Sequence, residues 1–128
     1  MAIKTTNVPG RLAETLSVNN AADSSNSGTG TNIFNGTSDA TKFYCWRIDG
    51  TLFGSPFFVK VQHETTYNTS NNPDYRFFCP ANSVVTYIFP DGKTFASGIS
   101  YITTTTAAST GAQVDPSAAI TVTVLGGT

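Results

Sequence analysis

The chain has 128 residues, 12% of them charged, and a formal net charge of −1. The charged share is about half the ~25% of an average globular protein. The seven basic residues are scattered one at a time, which argues against a nucleic-acid surface and against an anionic membrane surface.

Residues 1–30 differ in composition from the rest. The opening MAIKTTNVPGRLAETL carries no apolar run of signal-peptide length, which predicts a chain made in the cytosol and left soluble there. Leu12 to Leu16 suit one helical turn, and the SSNSGTG run that follows stops it. Two readings stand: a solvated terminus, or an extended N-terminal arm that orders against a neighbour. Ile3, Val8, Leu12, Leu16 and Val18 are spaced as anchors for the second. Thirty extended residues reach at most ~100 Å, far past a domain radius of about 14 Å.

From residue 31 the pattern is that of strands, and 31–128 reads as one domain. The segment TNIFNG suits a short strand closed by Asn35-Gly36. In 41-TKFYCWRID-49 the alternation places Phe43 and Cys45 on one face, and Tyr44, Trp46 and Ile48 on the other. In 56-PFFVKVQHE-64, Phe57, Val59 and Val61 share a face opposite Phe58, Lys60 and Gln62. After the polar loop 65–74 come a strand over 75–80 and a strand over 83–90, the latter alternating Val85, Tyr87 and Phe89 against Val84, Thr86 and Ile88. Pro90-Asp91-Gly92 reads as a turn, since proline fixes φ and glycine accepts φ > 0. Segments 97–106 and 118–126 supply the last two strands. Short strands at spacings of ~8–14 residues without helical periodicity predict an all-β chain: an antiparallel β-sandwich, Greek-key or jelly-roll-like, with a closed barrel as the alternative.

Candidates for chemistry are few. His63 and Glu64 are strand neighbours and point to opposite faces. The carboxylates mostly fall at turns or strand ends, where Asx chemistry accounts for them. Cys45 and Cys79 are the two cysteines; they read as buried thiols, with a disulfide open if their strands face each other. With neither CxxC nor a histidine cluster, no metal, cofactor or catalytic residue is expected. Trp46 reads as core, and the loop 67-YNTSNNPDY-75 is the best place for an exposed aromatic platform that would stack sugar. The run Thr103, Thr104, Thr105, Thr106 has no sharp in/out alternation, and no charge occurs from Ile99 to Ala112. Such a strand at a sheet edge invites pairing with another chain.

The order of segments, FYCWRIDGT, then PFFVKVQHETT, then FFCPANSVVTYIFPDGKTFASGISYITTTTAASTGAQVDPSAAITVTVL, resembles small tailed-bacteriophage virion proteins of the head decoration (cement) type. The resemblance covers about residues 40–125 and rests on order and spacing. It implies a non-enzymatic structural protein on the capsid surface, made in the host cytoplasm, whose partners are the major capsid protein and copies of itself, a homotrimer ahead of a dimer. The expected contact residues are Val8, Arg11, Leu12 and Leu16 of the arm and the Thr103–Thr106 flank. The alternative is a tail-fibre or head-fibre module that binds cell-surface carbohydrate.

Overall fold

The computed structural model describes residues 12–20, 42–64, 66–95 and 98–127, with backbone alone for 12–20 and Gly127. Among the described residues there are seven strands: β1 (Leu12–Asn20), β2 (Lys42–Asp49), β3 (Phe57–Gln62), β4 (Tyr75–Cys79), β5 (Val84–Thr94), β6 (Ser100–Thr104) and β7 (Ile120–Gly127). They form a four-stranded sheet in the order β1-β7-β2-β5 and a three-stranded sheet in the order β4-β3-β6. Every recorded pairing is antiparallel. The chain crosses between sheets at β2→β3, β4→β5, β5→β6 and β6→β7, which is jelly-roll-like connectivity. The all-β sandwich read from strand spacing is therefore the fold. The predicted strand at TNIFNG and the segments flanking β1 lie outside the described residues. Within them, Leu12–Leu16 is extended on β7 rather than a helical turn.

The core lies between the two sheets. Phe57, Val59, Val61, Phe77 and Cys79 reach inward from the three-stranded sheet, and Ile120, Val122, Val124, Trp46 and Ile48 meet them from the other. Aromatic edges bridge the gap: Trp46 lies 5.5 Å from Phe77 and 5.7 Å, edge-on, from Tyr101. Phe77 and Tyr87 are 4.7 Å apart. Such pairs add about 0.5–1.5 kcal/mol each beyond the area they bury. The alternations read for β3 and β5 hold residue by residue.

Two departures share one cause. Strand β2 carries a bulge at Tyr44: Phe43 pairs Gly126 and Cys45 pairs Leu125, with Tyr44 extra. One inserted residue reverses the alternation, so Phe43 joins Trp46 and Ile48 in the core, while Cys45 turns outward. Opposite the same point, Phe43 pairs Lys93 and Cys45 pairs Ile88, so residues 89–92 bow out within β5. The expected Pro90-Asp91-Gly92 turn is thus a bulge inside a strand and not a connection between strands. Gly92, at φ +75°, lies where a Cβ would come within 2.9 Å of the Tyr44 ring, which is why glycine stands there.

Candidate interaction surface

Among the described residues no group of three or more His, Cys, Asp or Glu is placed to hold a metal ion. Several chemically capable side chains have structural duties. The Asp49 carboxylate accepts from the backbone N–H and hydroxyl of Thr51, and these bonds hold its pKa below the ordinary value. Asp74 accepts from the His63 backbone N–H at 2.7 Å, and the His63 ring packs 5.3 Å from Tyr75. Cys45 and Cys79 are free thiols, so they do not pair. Burial pushes both thiols up in pKa, which keeps them protonated and poorly nucleophilic.

The outer face of the three-stranded sheet is covered by two loops. The β3 residues Lys60 and Gln62 point to this face and are buried, against the usual placement of such residues at the surface. Gln62 donates to the carbonyls of Asn68 and Asn71 and accepts from the Asn68 N–H, which holds loop 66–71 in place. Lys60 donates to the carbonyl of Ala108 and to the side-chain oxygen of Gln113. Arg76, directly opposite on β4, donates to the carbonyl of Ala107. Consecutive loop carbonyls thus receive two adjacent cations that would otherwise repel each other. The Gly111 N–H donates to the Thr69 carbonyl and joins the two loops.

Thr104, Thr105 and Thr106 belong to this cover. Thr103 and Thr104 are fully buried in β6, and Thr105 and Thr106 are half-buried. The Thr104 hydroxyl donates to the Val114 carbonyl, and the Thr106 hydroxyl accepts from the Val114 N–H. Thr103 faces the core opposite Val59. The hydroxyls expected as a bare outward flank are therefore used inside the chain. Of the other expected contact residues, Leu12 and Leu16 lie in β1, paired with Gly127 and Val124; Val8 and Arg11 fall outside the described residues. Trp46 is core, as read. Tyr67 is buried and Tyr75 half-buried, so loop 67–75 presents no aromatic platform.

A different surface is open. On the outer face of the four-stranded sheet, Leu125, Cys45 and Ile88 form one row across β7, β2 and β5. Thr123, Arg47 and Thr86 form the next, and Thr121, Asp49 and Val84 the third. The two charges in these rows lie 3.9 Å apart and offset each other. Among the described strands β5 ends the sheet, with Ile88 67% and Val84 41% exposed. Around the same flank, exposed Phe78 packs 5.6 Å from Phe58, over which Arg76 sits at 5.9 Å. The signal for this surface was in the sequence: VVTYIFP runs seven residues without a charge. No family model, curated protein or solved structure matches the chain.

Proposed function

We propose that this chain is a non-enzymatic structural protein of a tailed-phage particle, a decoration or cement protein that binds the outside of the major capsid shell and stabilises it. The observation that carries the reading is the neutral outer face of the four-stranded sheet with its open β5 edge, bearing Ile88 and Val84. A chain with only 12% charged residues and so rich in β-formers is weakly guarded against association, which suits a subunit whose working state is assembled. The segment order resembling head decoration proteins supports the same reading. The jelly-roll connectivity agrees with it as fold-level analogy alone, since viral capsid and lectin domains both use it.

Many modest contacts repeated over a lattice act as linked contacts, so single-site affinity need not be high. The test is removal and return. Particles stripped of the protein lose resistance to heat and osmotic shock, and adding the purified chain restores it. Stripped particles as robust as intact ones would defeat the stabilising role. The second reading, a fibre module for cell-surface sugar, draws on the exposed Phe78 ring beside Phe58; binding on a glycan array that is lost in Phe78→Ala would favour it instead.

A further inference from the structure

We propose that the open edge of β5 pairs antiparallel with β5 of a second copy, about a two-fold axis through Thr86. The inference concerns the isolated chain and stands whether or not the protein decorates a capsid.

The backbone sets the geometry. The Gly50 N–H donates to the Ser83 carbonyl at 2.9 Å. In the register of β2 against β5 these residues face each other directly, so theirs is a hydrogen-bonded pair. Such pairs alternate along an antiparallel ladder. Val85 and Tyr87 therefore direct their N–H and C=O groups to β2. Val84, Thr86 and Ile88 direct theirs away, to the side where no described strand lies. A symmetric partner strand would exchange about six backbone hydrogen bonds with these three residues.

The bounds of the open stretch identify the partner. At one end stands Asn82, whose φ of 52° turns the chain away from the extended state. At the other stands Pro90, which has no N–H to donate, within the outward bow of residues 89–92. Asn82 and Pro90 lie equally far from Thr86 in sequence. The stretch is thus symmetric about its own centre, as an isologous contact requires. Its side chains agree. About Thr86, each Ile88 faces Val84 of the other copy, so each exposed apolar residue covers the other's. Thr86 meets Thr86, and no charge is buried. An acidic or basic partner strand would find nothing here to pair with.

The neighbouring edge, β4, is poorer for this purpose. The Tyr87 hydroxyl donates to its Phe78 carbonyl, and Arg76 stands on the strand. The devices that guard β5, namely Pro90, the bow, Asp91 and Lys93, all lie beyond Ile88.

The experiment is sedimentation equilibrium of the full chain over a wide concentration range, with Thr86→Pro and Ile88→Lys beside the wild type. The wild type is expected to approach about 27 kDa, twice its 13.5 kDa. Thr86→Pro removes an outward N–H, leaves the ladder to β2 intact, and should be monomeric. Ile88→Lys, which keeps every backbone group and decides the matter if the proline variant does not fold, should raise the dimer dissociation constant at least about tenfold. In the wild-type dimer the amides of Val84, Thr86 and Ile88 exchange slowly and become faster on dilution. A monomer at millimolar concentration, a trimer, or a dimer indifferent to Ile88→Lys would overturn the proposal.

Discussion

The Lys60 ammonium lies 2.7 Å from the Gln113 side-chain oxygen, in a site with no exposed surface. Its other hydrogen-bond partner is a neutral backbone carbonyl, and the cation beside it, Arg76, has the same sign. Desolvation first, and Arg76 second, pull the Lys60 pKa from its ordinary value of 10.5 down to about 8. The loop over the three-stranded sheet is thus latched by a charge that is costly to hold.

This sets a dependence on pH. A lysine whose folded pKa lies below its unfolded one carries its full penalty below pH 8. The penalty is relieved as pH rises from 8 towards 10.5, because there the unfolded chain binds the extra proton. Wild-type stability relative to Lys60→Met should therefore increase across that window, by at most about 3 kcal/mol. Urea titrations of both proteins at pH 7, 8, 9 and 10 measure the difference. A constant difference would contradict the latch.

Gln62 makes the matching contact at the other loop. Replacing it with leucine keeps the bulk but leaves the Asn68 N–H and the Asn71 carbonyl without their present partner. The Asn68 carbonyl retains the Asn71 N–H. Both asparagines are exposed residues, so water can take up part of the loss, and Gln62→Leu should destabilise the fold by about 1–3 kcal/mol. Protease cutting within 66–71 should rise before global unfolding does.

Gly50 shows how close the backbone comes to the core. A Cβ there would lie 2.4 Å from the Phe57 ring and 3.3 Å from the Cys79 sulfur. Phe57 is held in turn by Phe53, 5.8 Å away edge-on, so the ring has little room to yield. Gly50→Ala should cost about 1–3 kcal/mol by overpacking, read as a lower urea midpoint with an unchanged slope.

The strands were legible where one face is apolar and the alternation runs unbroken, as in Phe57–Val61 and Val85–Phe89. The bulge at Tyr44 was not, because an extra residue in an aromatic run has no local marker, and FYCW reads equally well in either phase. The burial of Lys60 and the threonines was hidden for a different reason. It depends on loop 105–116 folding back over the sheet, and no periodicity encodes a loop's path. Thr103–Thr106 begins on a strand that ends its sheet among the described strands, but it reads as a bare flank until the Val114 backbone is seen bonding the hydroxyls of Thr104, Thr105 and Thr106. The open surface lies instead on Val84–Ile88, whose even residues the alternation placed on one face without saying which face is outward. Which strand ends the sheet is a property of topology, and spacing along the chain does not specify it.

Tyr87 joins the two sheets at the open flank. Its ring packs against Phe77 in the core and its hydroxyl donates to the Phe78 carbonyl on β4. Burial raises its pKa. For a tyrosine the raised value means that stability is complete below the unfolded pKa of about 10 and is lost as pH rises beyond it. Tyr87→Phe keeps the ring and removes both effects. It should lower stability at pH 7 by about 1 kcal/mol, the worth of one hydrogen bond, and show a smaller loss than the wild type between pH 10 and 11. Because Tyr87 turns its backbone groups to β2, the same substitution should leave self-association through β5 unchanged. Sedimentation of Tyr87→Phe separates the two roles: a variant that unfolds more easily yet still pairs assigns the hydroxyl to joining the sheets and the pairing to the outward residues alone.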